Sequence, residues 1–412
     1  MKEYPFMFSQ MEFILLHLKI FNSKDVERVV VGLSGGVDSS VAAYLLKKQG
    51  YEVHGLFMKN WSEQNGTLTS SCNWEDDLAF AEMVAKKLGI PLHFVDFSKQ
   101  YYNRVVNYMF NEYQRGRTPN PDVLCNREVK FDLFVREAEK YNADFIATGH
   151  YVKKEVIQKN GQTVNRLLAG DDPGKDQSYF LCQLSQDQLK KALFPIGAID
   201  KTEVRKMAHE QQLATATRKD SQGICFIGKV DLPAFLQQKL QPLKGDIIVI
   251  DESEFLPADS VRDYKEQCKS FDFSTYTGTK AGEHEGAHFF TVGQRKGLKV
   301  GGMKAPLYVI GTDTSRNIVY AGEGEKHPGL FRQGLFVSAN DVHWLREDLK
   351  NQLKEETLDI RIRYRQPLQK GKLIQRNEGY YIVFQKPQRA ITAGQFVAWY
   401  KDNELLGSGV IN

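Results

Sequence analysis

The sequence predicts an α/β protein: a doubly wound parallel sheet followed by a small central β-rich domain and a C-terminal β-barrel. Three observations predict it. The first half alternates short apolar, β-branched runs with segments of helical spacing, the pattern of a parallel sheet covered by helices. After about residue 230 the pattern changes to short strand-like runs separated by Gly, Asn and Asp, with little helix between them, as in small barrels. The length of 412 residues also exceeds one ordinary core, so two or three domains are expected.

The elements follow in order. Val29 to Leu33 is a strand, and Ser39 to Gln49 a helix with Val41, Ala42, Leu45 and Leu46 on one face, stopped by Gly50. Val53 to Met58 is the next strand, Leu78 to Leu88 a helix, Pro91 to Phe97 a strand, Val129 to Glu139 a helix and Asp144 to Thr148 a strand. Further strands are expected at Lys244 to Ile250, Phe289 to Val292, Leu307 to Gly311, Asn317 to Ala321 and Leu335 to Ala339. The last are Asp359 to Tyr364, Tyr380 to Phe384 and Gln395 to Tyr400. Asp251 to Glu285 is polar and reads as an irregular surface insertion. The division is then 1–230 for the first, α/β domain with an extension over 1–26, 231–322 for the central domain and 323–412 for the barrel.

Apolar residues make up 42% and charged residues 26%, as in an ordinary globular protein, and no apolar run is long enough to span a bilayer. The N-terminal stretch Met11 to Phe21 carries Glu12, His17 and Lys19 and reads as an amphipathic helix. It lacks the basic start and small-residue cleavage site of a signal peptide. A net charge of +4 permits nucleic-acid binding without arguing for it, since an RNA site needs a local basic face. Five cysteines, an odd number without close pairs, indicate no disulfide framework and a reducing, cytoplasmic setting. No Cys/His cluster has zinc spacing, so no structural metal is expected.

The strongest local signal is Gly32-Leu33-Ser34-Gly35-Gly36-Val37-Asp38-Ser39-Ser40, between a strand and a helix. Gly35 and Gly36 allow tight curvature and close approach of an anion. The helix start beyond them offers unpaired N–H groups and a positive dipole end, and Ser34, Ser39 and Ser40 add hydroxyls. Asp38 would repel phosphate, and makes sense as a helix cap or through a magnesium ion that the phosphates share. No Gly-Lys-Ser/Thr occurs, so this is not a Walker A loop. It resembles the PP-loop of ATP pyrophosphatases, and an ordinary glycine turn accounts poorly for so many specified positions. Ligands of such sheets lie beyond the carboxyl ends of the strands, which places Met58 and Gly149 beside the nucleotide, with plain core packing as the alternative for Met58.

Cys125 follows Arg117-Thr118-Pro119-Asn120-Pro121-Asp122, a turn entering a helix, where Arg117 and Arg127 are expected to favour its thiolate. Cys225 lies between Gly223 and Gly228 in a loop that a sulfur donor can approach. Singly, a cysteine is more often a small buried apolar residue than a nucleophile; the contexts raise both. Cys72 sits in a polar loop, Cys182 reads as packed among apolar neighbours, and Cys268 receives no role.

Taken together, these segments resemble the bacterial tRNA-specific 2-thiouridylases of the MnmA type over nearly the whole chain. The resemblance rests on Ser34 to Ser40, Gly55 to Trp61, Gly116 to Asp122, Ala147 to Tyr151, Lys175 to Phe180 and Gly223 to Gly228, and ends with Thr291 to Gly297 and Arg363 to Gln366. It implies a PP-loop catalytic domain with ATP on Gly32, Leu33, Ser34, Gly35, Gly36, Val37, Asp38 and Ser39, completed by Met58 and Gly149, with magnesium as the ion. It implies that the C2 oxygen of the wobble uridine of a tRNA is adenylated. A persulfide on Cys225, loaded by a sulfur-relay protein or cysteine desulfurase, then attacks C2, while Cys125 acts as second thiol and forms a transient disulfide with Cys225. Asn120, Pro121 and Asp122 would contact the target base; His150, Lys175, Asp176, Gln177, Arg363, Tyr364 and Gln395 would face the tRNA. A monomer without membrane contact is expected.

Residue alternation adds a tension. In Arg361-Ile362-Arg363-Tyr364-Arg365 a strand puts three arginines on one face and Tyr364 on the other, so Arg363 and Tyr364 reach one RNA only if the strand ends or twists there. Competing readings are a PP-loop enzyme in which nitrogen attacks the adenylate, needing no cysteine pair, and an RNA-binding protein that retains the fold without catalysis.

Overall fold

The computed structural model describes residues 26–61, 74–220, 232–255 and 263–412. The first half builds β1 (Arg28–Gly32), β2 (Glu52–Lys59), β3 (Leu92–Asp96), β4 (Phe145–Ala147), β5 (Val152–Lys159), β6 (Gln162–Ala169) and β7 (Ala192–Leu193). Five of these form a parallel sheet in the order β3-β2-β1-β4-β7. The three valines of β1 are wholly buried, as a central parallel strand requires. Val29 and Val31 join a core beneath the helices Val37–Lys48, Trp74–Leu88 and Lys201–Glu210, contributed by Val41, Leu46, Val84 and Val204. Val30 points the other way, to Val129, Phe131 and Phe134 and on to Phe396, Tyr400 and Leu405 near the C-terminus. One face of the sheet therefore shares its core with the far end of the chain. The strand order runs outward from β1 through β2 to β3 and restarts at β4 on the other side, so the crevice for a ligand opens at the carboxyl end of β1.

The remainder contributes β8 (Gly245–Ile250), β9 (Gly278–His284), β10 (Leu307–Asp313), β11 (Ile318–Glu323), β12 (Phe331–Ser338), β13 (Val342–Trp344), β14 (Glu355–Arg361), β15 (Gln369–Arg376), β16 (Gly379–Arg389), β17 (Phe396–Lys401) and β18 (Glu404–Val410). A four-stranded sheet has the order β10-β11-β8-β9, and a larger one runs β12-β16-β15-β14-β17-β18-β6-β5, with β13 on β18. Its interior holds Leu335, Leu358, Ile360, Ile382, Val397 and Trp399, the inward residues of alternating strands.

Four expectations are corrected. Residues 251–285 are not a purely irregular insertion: β9 pairs along β8, and Phe255, Phe273 and Tyr276 pack around Ile310 and Tyr320. Phe289 to Val292 is not a strand, because Ala287–Phe289 forms a short 3-10 turn there. The helix expected from Val129 begins at Pro121 and passes through a π-helical stretch, Asn126–Leu133, before Phe134–Glu139. The strand expected to reach Tyr364 stops at Arg361. The hairpin β5–β6 went unpredicted, since Lys153, Lys154, Glu155 and Lys159 hide its alternation; it extends the C-terminal sheet through β6 on β18. No described helix is long and apolar enough to cross a membrane.

Candidate active site

The loop after β1 folds on its own hydroxyls. The Ser34 N–H donates to Ser39 Oγ at 3.2 Å, Ser39 Oγ donates to the Gly36 carbonyl at 3.2 Å, and Ser40 Oγ does so at 2.8 Å. Gly35 has φ +71°, and a Cβ there would lie 2.2 Å from the Asp77 carbonyl oxygen. That conformation and that crowding both require glycine. Gly149, just past β4, is pressed against the start of the helix Val37–Lys48: its Cβ would fall 2.7 Å from both the Asp38 carbonyl carbon and the Ser39 nitrogen. Beneath the loop, a Cβ on Gly32 would meet Phe134 Cε1 at 3.3 Å and Met58 Cε at 3.4 Å. Gly32 to Ser39 and Gly149 thus meet at one helix start, and Met58 lies against Gly32 beneath it.

Of the two roles open to Asp38, the helix cap is not the one it takes. Gly36 occupies that position, and Asp38 stands inside the first turn. Its carboxylate instead receives Lys201 Nζ at 2.7 and 2.9 Å and the Tyr151 hydroxyl at 2.7 Å. Lys201 also reaches Asp220 at 2.8 Å, and Asp220 takes Lys175 at 2.7 Å and Arg205 at 2.6 Å. Burial alone would raise the Asp220 carboxyl, but hydrogen bonds from Lys175 and Lys201 outweigh it and hold the group well below the usual carboxylate range. Burial and the Asp38 charge push the Tyr151 phenol far up, so it stays a donor. Arg218 closes the loop's other side, donating to the Gly35 carbonyl at 2.9 Å and pairing with Asp77 at 2.8 Å. Sequence reading missed Lys201, Arg205 and Arg218. One signal was available: Lys201 opens a helix, where its charge opposes the dipole unless a carboxylate answers it.

Asn120 caps the helix that carries Cys125, accepting the Val123 N–H at 3.2 Å, and Pro121 follows at the first helical position. Cys125 is fully buried and stands a turn beyond the helix start. Arg117 and Arg127, expected to favour its thiolate, are committed to Glu112 and Glu128, each at 2.8 Å. Phe134, nine positions on along the same helical run, is the ring beneath Gly32. Cys225 and Cys72 lie outside the described residues. Cys182 is buried in a short 3-10 turn's end, which pushes its thiol up to about 12, and burial takes Cys268 to about 11. Neither is an available nucleophile at neutral pH.

The residues expected at tRNA separate into three groups. Asn120, Arg363 and Gln395 gather at one seam: Asn120 Nδ2 donates to Gln395 Oε1 at 3.3 Å, and Gln395 Nε2 donates to the carbonyls of Thr118 and Pro119 at 3.0 and 3.1 Å. Because β14 ends at Arg361, Arg363 and Tyr364 escape strand alternation. Arg363 turns to the Arg389 and Ala390 carbonyls, while the Tyr364 ring packs tilted against Phe180, centroids 4.3 Å apart, and its hydroxyl reaches the Lys175 carbonyl at 3.5 Å. The single arginine face does not exist, since Arg361 pairs with Asp176 at 2.6 Å. That pair buries Asp176, which also takes Ser178 Oγ at 3.0 Å, so Asp176 faces the protein rather than RNA. His150 is likewise buried, 2.7 Å from Thr148 Oγ1, and burial with the Lys130 charge holds its imidazole neutral, well below its ordinary pKa. Gln177 accepts the Tyr151 N–H at 3.0 Å and so acts within the fold.

The chain matches the family models described as tRNA methyl transferase HUP domain over residues 27–229, tRNA methyl transferase PRC-barrel domain over 264–323 and aminomethyltransferase beta-barrel domain over 335–411. A tRNA-specific 2-thiouridylase MnmA of Flavobacterium johnsoniae is 57% identical over 399 residues, covering 94% of this chain and 100% of the relative. Its counterpart from Christiangramia forsetii is 56% identical over 395 residues with the same coverage, and that of Shouchella clausii is 44% identical over 386 residues, covering 93% of this chain and 96% of its own. The chain belongs to the family of tRNA-specific 2-thiouridylases.

Proposed function

We propose that this chain exchanges the C2 oxygen of a tRNA wobble uridine for sulfur at the expense of ATP. The observation that carries the reading is the convergence of Gly32 to Ser39 with Gly149 at the carboxyl end of β1, beside a helix that bears Cys125. The uridine oxygen attacks the α-phosphorus of ATP, and pyrophosphate leaves. A poor leaving group has then become a good one. The terminal sulfur of a Cys225 persulfide bonds to C2. The Cys125 thiolate attacks the inner sulfur of that persulfide, the sulfur–sulfur bond to the transferred atom breaks, and AMP departs with the original oxygen. The resulting Cys125–Cys225 disulfide needs an external thiol reductant before the next turnover. A persulfide ionises more readily than a thiol and suits attack on an activated ring carbon near neutral pH.

Each residue has a place in this scheme. Ser34, Ser39 and the loop N–H groups would hold phosphate, and Lys201 with Arg205 would meet the departing pyrophosphate from the side. Magnesium fits Asp38, a hard carboxylate ligand whose side chain keeps 31% of its surface exposed; it would neutralise phosphate charge. Five positions separate Asp220, a member of the cation cluster, from Cys225 in the sequence. Asn120, Pro121 and Asp122 would receive the base, drawn from an anticodon loop at a cost of a few kcal/mol, and Tyr364 and Lys175 would meet RNA beyond it. A sulfur-relay protein or cysteine desulfurase would load Cys225, and the monomeric protein would work in the cytoplasm, with tRNA and ATP. The test is mass analysis of wobble uridines after incubation of tRNA with protein, ATP, magnesium and sulfide. One sulfur should replace one oxygen. Unchanged nucleosides, or a Cys225→Ser variant as active as the native chain with a persulfide donor, would refute the scheme.

A further inference from the structure

At the seam between the turn before Cys125, the segment after Phe290 and the C-terminal sheet lies a cavity of about 360 Å³, lined among others by Thr118, Thr291, Gly293, Arg363, Arg389 and Gln395. Two features set it apart. Arg363 and Arg389 both line it, both half-buried, and neither makes an ion pair with another described residue. Arg363 instead donates to the carbonyls of Arg389 and Ala390, and Arg389 rests 5.2 Å from the centre of the Tyr308 ring. Burial and repulsion from Arg389 both lower the Arg363 pKa, as expected of two like charges sharing one concavity. Partly desolvated, uncompensated guanidiniums are costly unless an anion answers them. The second feature is the donor set around them. The Thr118 and Thr291 hydroxyls meet at 3.1 Å. Gly293 has φ +87°, and a Cβ there would strike the Ala390 side chain at 2.8 Å, which keeps this wall free of a side chain. The exposed Arg295, Lys296 and Arg365 follow the lining residues Gly293 and Arg363 by two or three positions in the sequence.

We infer that this cavity is a phosphate subsite for the RNA backbone next to the target nucleotide, with Arg389, Arg363 and the Thr118 and Thr291 hydroxyls as its donors. The inference rests on the tRNA reading above and deepens it. Planar guanidiniums and paired hydroxyls match phosphate oxygens in number and kind. Position argues for RNA rather than ATP: Thr118 stands two places before Asn120, and Gln395 both lines the cavity and bonds Asn120, the residue proposed to meet the base. Gripping the backbone beside the base would set its register at Cys125 without reading sequence.

The test measures binding of an anticodon stem-loop RNA across a range of salt concentrations. Arg389→Gln should weaken binding about tenfold and lower the slope of log affinity against log salt by about 0.7, the loss of one single-strand phosphate contact. Arg389→Lys should restore the slope while recovering affinity only in part. An RNA with an uncharged methylphosphonate at the linkage beside the wobble uridine should make native and Arg389→Gln proteins bind alike. Unchanged affinity and slope in Arg389→Gln would overturn the inference, as would a fall in ATP affinity equal to the fall for RNA. Should Arg389→Gln unfold at a lower temperature, Thr291→Val, which removes a hydroxyl and leaves the charges, must still weaken RNA binding, and its failure to do so counts against the subsite. Thiolation by the native protein is a separate readout: native thiolation with an unaltered slope sinks the subsite alone, and an altered slope without native thiolation sinks the reaction alone.

Discussion

At the residue scale the account turns on contacts that tolerate no added atom or lost charge. Gly149→Ala would drive a methyl to 2.7 Å from the backbone of Asp38 and Ser39. Overpacking of this kind costs about 1–3 kcal/mol, and here it displaces the helix start itself. ATP affinity, measured by calorimetry, should fall at least about tenfold, more than the stability loss alone would predict. Lys201 offers a second case. It is 8% exposed and held by two carboxylates, so Lys201→Met leaves Asp38 and Asp220 facing each other without their shared cation. Breaking such a pair costs about 3–5 kcal/mol when fully buried, less here because both carboxylates are about one-third exposed. tRNA-dependent AMP formation should drop by about a hundredfold, with Lys201→Arg recovering part of it; full activity in Lys201→Met would remove the cluster from the reaction. The glycine loop was legible in the sequence because its chemistry is local. The cluster was not, since Asp38, Lys201 and Asp220 meet only through the fold.

At the scale of elements, the parallel sheet was legible because buried strands read as apolar runs and glycine marks their ends. What escaped was structure whose polarity comes from partners. The hairpin β5–β6 shows many charges, yet β6 is fastened to β18 by Arg166 on Glu404 at 2.9 Å, and Arg346 binds the same buried carboxylate. Glu404→Gln would leave two arginines around a neutral side chain. It should cost about 3 kcal/mol and lower the urea midpoint, with little effect on the loop after β1; an unchanged midpoint would show that the hairpin is held by other contacts. The π-helical stretch after Cys125 escaped for a different reason, since its residues carry an ordinary helical pattern and the wider turn is a tertiary choice. The end of β14 at Arg361 resolved the one conflict that alternation raised. Past a strand's end the period of two no longer governs direction, and Arg363 and Tyr364 are released to different partners.

For the whole molecule, acid should be destabilising well before carboxylates titrate. His93, His150, His284, His288, His327 and His343 all have pKa values lowered by burial. Below the ordinary imidazole value near 6.5 the unfolded chain takes up protons that the folded chain refuses, so stability falls as pH drops from about 7 to 5, by up to about 1.4 kcal/mol per pH unit for each histidine that stays neutral. Denaturant titrations should show this slope, and His150→Asn should flatten part of it; a midpoint that does not move between those pH values would contradict the burial of these rings. In the same molecule-wide arrangement one sheet face shares its core with the C-terminal strands, so the phosphate loop after β1 and the helix that bears Cys125 pack together. The proposed reaction has one central chemical consequence, that the uridine oxygen leaves on AMP. That can be read directly by giving the protein a tRNA whose target uridine carries a heavy oxygen isotope at C2, with ATP, magnesium and a persulfide donor, and weighing the AMP. The account predicts AMP heavier by the isotope's mass difference, one for each sulfur gained; light AMP, with the heavy oxygen in water or pyrophosphate, would contradict it.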